Sequence, residues 1–222
     1  MHEPGSRRKT TPPPLHLDAT LRDGSRVVIR RLRAADAPEV SHAFARLSEE
    51  SRRLRFLTAK PSLSESELRY LTDVDGSRHE AICAIDPATG HGVGIGRFVR
   101  DDPGSRRAEV AVTVVDDWQR RGLGTILLET LAERAREEGI GEFTALVAAD
   151  NRSMRMLLNH LGAPVHRLRR LGEAIEYEID VAPRGLGARL HDALRAAAQG
   201  HWRLPPSLWE ALRGLVPLRL RG

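Results

Sequence analysis

The sequence is poor in several things, and each shortage excludes a class of protein. Of 222 residues one is cysteine, Cys83. A lone cysteine forms no internal disulfide and satisfies no multi-cysteine zinc motif. Aromatic residues make up 4% of the chain, so any core is built mainly from aliphatic side chains. No apolar run approaches the roughly 18–20 residues that cross a bilayer, which excludes a membrane-spanning helix. Residues 1–14 lack the apolar stretch of a secretory signal, so the expected location is cytoplasmic. Nine histidines are spread along the chain without clustering, and no metal is expected.

Lysine is also scarce: Lys9 and Lys60 stand among 35 basic residues. The formal net charge is +5. Residues 26–182 carry 24 basic against 25 acidic residues, whereas 183–222 carry 7 against 2. The positive excess therefore lies in the C-terminal tail rather than on a folded body. Nucleic acid is not expected as a ligand.

Three regions follow from composition. Residues 1–14 are polar and proline-rich and read as disordered. Residues 15–182 read as one mixed α/β domain. Residues 183–222 read as an amphipathic helical extension, with Leu186, Leu190 and Leu194 at helical spacing and a capping box at Ser207 and Glu210. Within the body, alternation marks a strand over 15–21, and Asp23-Gly24 turns the chain into a second strand over 26–32. Helices are predicted over 38–47 and 62–71, the second opened by the capping box of Ser64 and Glu67. Residues 81–85 and 93–99 form a hairpin. Residues 109–115 (EVAVTVV) are the most β-prone segment, and a helix with apolar residues at helical spacing follows to about Glu138. A strand over 143–147, a helix over 153–161 and strands over 165–169 and 173–181 complete a mixed sheet with a central βαβ unit.

The junction before the long helix carries the strongest site signal. Arg120-Arg121-Gly122-Leu123-Gly124-Thr125 lies between strand and helix. A helix start presents unpaired N–H groups and the positive end of the dipole. Two glycines let an anion approach those donors closely, and two arginines add charge. Such a loop suits a pyrophosphate. It also suits plain tight packing of strand against helix, and Gly-x-Gly alone does not decide between the two. Gly92-Val93-Gly94-Ile95-Gly96 opens no helix and reads as part of the hairpin.

Gln119-Arg120-Arg121-Gly122-Leu123-Gly124 resembles the Q/R-x-x-G-x-G/A signature of the GNAT N-acetyltransferases. Residues 109–162 resemble the acetyl-CoA-binding core of that superfamily throughout. LRDGSRVVIRRLRAAD, LSEESRRLRF, LTDVDGSRHEAI and Ala108-Glu109-Val110-Ala111 are similar to the catalytic domain of bacterial Pat-type protein lysine acetyltransferases. The resemblance implies a GNAT fold whose mixed sheet is splayed where acetyl-CoA binds, between the strand ending at Val115 and the strand 143–147. It implies that Thr113, Val114 and Val115 offer backbone groups to the pantetheine and acetyl carbonyl. It implies that Arg120, Arg121, Gly122, Leu123, Gly124 and Thr125 bind the pyrophosphate through backbone amides, and that Asn151 touches the pantetheine. Asn151 is equally a reasonable N-cap for the helix that follows.

Acetyl transfer to an amine needs the amine neutral, and a lysine with a pKa near 10.4 is almost wholly protonated at neutral pH. Glu109 is a carboxylate flanked by apolar residues in the strand that leads to the loop, and the resemblance of Ala108-Glu109-Val110-Ala111 to the Pat-type pattern makes it the expected general base. A solvated Glu109, or one paired with Arg106 or Arg107, is the competing reading. Many GNAT enzymes carry a tyrosine six residues after the Asn151 position to protonate the leaving thiolate; here that position is Leu157. Cys83 reads as a buried small hydrophobe.

The expected function is acetyl-CoA-dependent transfer to a protein lysine, for instance of an acyl-CoA synthetase, by direct attack without a metal. A small-molecule amine acceptor and a non-catalytic acyl-CoA-binding sensor are the alternatives. No Pat-type regulatory domain fits in the remaining length, so a stand-alone catalytic domain is expected. The C-terminal extension could support a homodimer.

Overall fold

The computed structural model describes residues 15–100, 102–160 and 163–181. The expected disordered segment 1–14 and helical extension 183–222 lie outside the described residues. Eight strands form one sheet, in the order β1-β2-β3-β4-β5-β6-β8-β7. They are β1 (His16–Thr20), β2 (Arg26–Arg31), β3 (His79–Ile85), β4 (Gly92–Val99), β5 (Arg107–Val114), β6 (Glu142–Ala148), β7 (Val165–Leu171) and β8 (Ala174–Asp180). All neighbours pair antiparallel except β5 and β6, which are parallel and joined by α4 (Leu123–Glu137). That is the predicted βαβ unit. The other helices are α1 (Ala37–Ala45), α2 (Glu49–Phe56), α3 (Glu65–Thr72) and α5 (Arg152–His160).

Strand alternation divides the core into two layers. Ile82 and Ala84 of β3 face a cluster with Leu123, Leu127 and Leu131 of α4. Ala81 and Cys83 face the other way, into a cluster with Val40 of α1 and Leu68 and Leu71 of α3. The sheet is thus covered by α4 on one face and by α1 and α3 on the other. Gly94 and Gly96 let α4 lie close on β4: a Cβ at Gly96 would sit 2.9 Å from Leu131 Cδ1. The hairpin reading of Gly92–Gly96 therefore holds, and its glycines serve packing.

The Ser64–Glu67 capping box forms as predicted. Asp36 precedes α1, but its carboxylate makes no side-chain cap for that helix. It takes a two-pronged pair from Arg30 at 2.8 Å and the Arg33 N–H instead. One helix is absent from the sequence reading, α2, whose residues EESRRLRF show little apolar periodicity. Its N-cap is Ser48, whose Oγ accepts the Ser51 N–H. Glu49 and Glu50 in its first turn and Arg53 and Arg55 in its last complement the helix dipole. Those cap and charge signals were its legible signature.

Candidate active site

The parallel pairing of β5 with β6 is short. It joins Arg107, Ala108 and Glu109 to Glu142, Phe143 and Thr144 and then stops, although both strands continue. Beyond Glu109, β5 stays on β4 and β6 stays on β8. The sheet is therefore open between Val110–Val114 and Ala145–Ala148. A cleft of about 510 Å³ lies along this opening, lined by residues of β5, β6, α2, α4 and α5.

Two hydrogen bonds fix which backbone groups of β5 face the opening. Val115 N–H donates to Val93 O of β4, and Arg106 O accepts the Gly141 N–H from the β6 side. Alternation along the strand then turns odd residues toward β4 and even residues toward β6. Thr113 and Val115 therefore direct their backbone groups at β4, and Val115 O further accepts the Trp118 N–H. The cleft receives the backbone groups of Val112 and Val114. Val112 was missed by the sequence reading, although strand alternation counted from the β4 contact would have found it. Of the expected trio, Val114 faces the cleft, Thr113 lines it with its side chain, and Val115 is buried on the α1–α3 side.

At the mouth of the cleft α4 begins. Gly122 is its N-cap at φ +93°, a left-handed conformation that favours glycine. Arg120 is also left-handed, at φ +60°, a strain of about 1–2 kcal/mol at a residue that lines the cleft. Thr125 and Ile126 donate their N–H groups to Gly122 O at 3.1 and 3.2 Å. Among the described residues, no acceptor meets the N–H groups from Arg120 to Gly124, so these donors are free for an anion. A Cβ at Gly124 would stand 2.8 Å from Leu157 Cδ1, so the glycine also serves the approach of α5 to α4.

The two expected arginines differ. Arg121 is held away from the cleft, with Nη1 2.9 Å from Asp23 and 3.1 Å from Ser25 Oγ, and its guanidinium over the Trp118 ring. Its charge is already answered. Arg120 lines the cleft, and so does Arg22 of the β1–β2 turn, whose side chain lies against Gly122. Arg22 was not foreseen, because only the fold brings that turn to the loop.

Gln119 braces the strand end. Its Nε2 donates to Val114 O and to Ser51 Oγ, both at 3.1 Å. Asp116 accepts from Ser48 N–H, Ser48 Oγ and Ser51 Oγ at 2.7–2.9 Å, which fastens α2 to the end of β5. These hydrogen bonds hold the Asp116 carboxyl below its usual range, although burial pushes it up. Asn151 caps α5, its Oδ1 accepting the Met154 N–H at 2.9 Å, and it also lines the cleft. The N-cap reading of Asn151 is therefore borne out. Leu157 lines the cleft where a tyrosine would carry its hydroxyl.

Glu109 sits at the inner end of the opening, where pairing with β6 stops, and its side chain is exposed. The apolar surroundings expected for it are not what the fold supplies. Arg55 of α2 and Arg97 of β4 both feel its charge. Burial pushes the Arg55 pKa down to about 10; Arg97 adds to this and Glu109 opposes it, so Arg55 remains a cation at neutral pH. The competing reading of a pair with Arg107 does not hold, since Arg107 is held by Glu142 and Glu178. On the α1–α3 side, a second cavity of about 230 Å³ adjoins the cleft, and Arg55, Phe56, Ala111 and Thr113 line both. Cys83 lines that cavity, and burial pushes its thiol up to about 11, as befits an inert small hydrophobe.

A mixed sheet that parts between two parallel strands, with a glycine-opened helix start at the mouth, defines a class: an α/β domain built to take an extended ligand with an anionic end. The comparisons with known proteins make the class specific. The acetyltransferase (GNAT) domain model matches residues 26–164, and the chain belongs to that family. It is 32% identical over 163 residues to acetyltransferase Pat of Mycolicibacterium smegmatis, covering 73% of this chain and 48% of that protein. It is 34% identical over 149 residues to an acetyltransferase of Pseudomonas aeruginosa, covering 66% of this chain and 80% of the other. The crystal structure of the GNAT domain of S. lividans PAT superposes with a TM-score of 0.69 at 28% identity, covering 74% of this chain and 96% of that one. The chain thus spans about half the length of the mycobacterial Pat protein. Among the described residues no helix is long and apolar enough to cross a membrane.

Proposed function

We propose that this chain transfers an acetyl group from acetyl-CoA to the side-chain amine of a protein lysine, with Glu109 as general base. The observation that carries the reading is the opening between β5 and β6, which has free helix-start donors at one end and a carboxylate at the other. The residues present fit the co-substrate. Leu123 and Gly124 N–H, with Arg120 and Arg22, suit a pyrophosphate. Val112 and Val114 suit the amide groups of a pantetheine arm laid along β5 like a missing strand. Asn151 adds one side-chain amide. A thioester at the inner end of the cleft would lie near Glu109.

Acetyl-CoA supplies an activated acyl group, and the chain supplies position and proton transfer. Glu109 takes the proton from the attacking ammonium, directly or through a water, and so frees the lone pair. Backbone donors of β5 stabilise the negative charge that develops on the thioester oxygen. The C–N bond forms, the C–S bond then breaks and the CoA sulfur leaves as a thiolate, and the second proton lost by the attacking nitrogen passes to solvent or to that thiolate. Leu157 offers it no proton. Thr113, Thr125 and Ser153 line the same cleft.

A small-molecule amine is the second reading, favoured by the cavity that adjoins the cleft beside Arg55 and Thr113. A cytoplasmic location and an acyl-CoA synthetase as acceptor accord with the likeness to Pat. Release of free thiol from acetyl-CoA, followed with acyl-CoA synthetases and with a panel of small amines, tests the proposal. Turnover on a protein lysine that is lost in Glu109→Gln, with CoA affinity kept, is expected. Turnover on small amines alone would replace the lysine reading with the second one. CoA binding with no turnover on any acceptor would make the chain a sensor.

A further inference from the structure

Two of the histidines that do not cluster in sequence meet in the fold. His42 of α1 and His91 of the β3–β4 turn stand edge to face, with ring centroids 4.7 Å apart. Between them lies Glu39, one turn before His42. Its Oε1 is 3.5 Å from His42 Nδ1 and 3.5 Å from His91 Nδ1. One donor atom from each of the three residues falls within 4.8 Å of the others.

Those spacings match a metal ion. Zinc bonds of about 2.0–2.2 Å in a tetrahedron place neighbouring donors roughly 3.3–3.5 Å apart. Both Glu39–histidine separations already have that value, and the two histidine donors lie within 4.8 Å of each other, so their side chains need only close on the ion. Two imidazoles and one carboxylate are borderline donors that suit Zn²⁺, Ni²⁺, Co²⁺ or Cu²⁺ rather than Mg²⁺ or Ca²⁺.

The carboxylate is also held in place. Gly92 N–H donates to Glu39 Oε1 at 2.7 Å. Such an outer hydrogen bond orients a metal-binding carboxylate and fixes its charge. Both imidazoles are about half exposed, so an ion reaches them from solvent.

We infer that Glu39, His42 and His91 form a three-ligand site for a borderline divalent cation such as Zn²⁺, with water completing the tetrahedron. Each imidazole gives its Nδ1 lone pair and keeps its proton on Nε2. The ion ties α1 to the β3–β4 turn at the rim of the cavity under α1–α3, which Glu39 and Gly92 both line. This site is separate from the cleft that holds Glu109 and rests on no assumption about acetyl transfer.

Calorimetric titration of the full, untagged, EDTA-stripped chain with Zn²⁺, and separately with Mg²⁺, tests it. One-to-one binding of Zn²⁺ and none of Mg²⁺ is expected, with a melting temperature that rises with Zn²⁺. His42→Ala and His91→Ala, both at exposed positions, should each weaken Zn²⁺ at least about tenfold. His16→Ala, at an exposed histidine elsewhere on the fold, should change nothing. No Zn²⁺ binding at millimolar concentration overturns the inference. So does an affinity that survives in the His42→Ala, His91→Ala double variant.

Discussion

Arg53 Nη2 lies 2.6 Å from Asp150 Oδ2, and this ion pair fastens α2 to the loop after β6. Asp116 fastens the same helix to the end of β5. A short, polar helix therefore bridges the two strands that part to form the cleft. Its role is to hold the opening at a set width while contributing Arg55 and Phe56 to the walls.

The two fastenings should differ in strength. Arg53 and Asp150 are exposed, and a pair of that kind contributes less than about 1 kcal/mol. Asp116 accepts three hydrogen bonds as a partly buried carboxylate, so Asp116→Ala should cost about 2–3 kcal/mol. Urea unfolding of Arg53→Ala and Asp116→Ala checks the order. Equal losses would mean that α2 is not held chiefly through Asp116.

His79 makes stability depend on pH. It is buried at the start of β3, and burial pushes its pKa down to about 4; Arg97 adds to this, while Asp75 and Asp73 oppose it. The unfolded chain takes up that proton near pH 6.5 and the folded chain does not, so acid favours unfolding. The contribution is present in full above about pH 6.5 and is lost as pH falls toward 4. Between pH 7.5 and 5 it should remove about 2 kcal/mol. Denaturant unfolding across that range should be visibly flatter in His79→Gln. Identical pH slopes would show that His79 titrates normally.

Glu80 anchors the interior. It is fully buried, 3.0 Å from Arg31 and 3.2 Å from Arg134. Burial pushes its pKa up, and the two guanidiniums oppose that. Glu80→Ala should destabilise by about 3–5 kcal/mol, because it leaves Arg31 without its counter-charge in the core and Arg134 with only Glu137 and Glu138. A loss below about 1 kcal/mol on urea unfolding would show that solvent reaches and compensates them.

Among the described residues, the sheet and four of the five α-helices were legible because they rest on local signals: alternation in β5, helical spacing in α4, and the Ser64–Glu67 box of α3. Gly122 and Gly124 were legible for the same reason. What escaped depends on contacts between distant segments. Arg22 reaches the loop because β1 and β2 turn beside it, and that same turn supplies the Asp23 that occupies Arg121. Glu109 feels the charge of Arg55 only because α2, weakly marked in the sequence, packs over the opening. His42 and His91 meet across the gap between a helix and a hairpin turn. The backbone direction of Val112 and Val114 needed the register with β4, which no local pattern states.

The central claim is that the opening between β5 and β6 seats CoA with its pyrophosphate on the start of α4. Calorimetric titration of CoA into wild type, Gly124→Ala and Gly124→Glu tests it most directly. The alanine Cβ meets only the movable end of Leu157, so that variant should fold and bind. The glutamate puts bulk and negative charge on the free N–H groups and should weaken CoA at least about tenfold, with circular dichroism unchanged. A folded Gly124→Glu variant that binds CoA as wild type does would contradict the account.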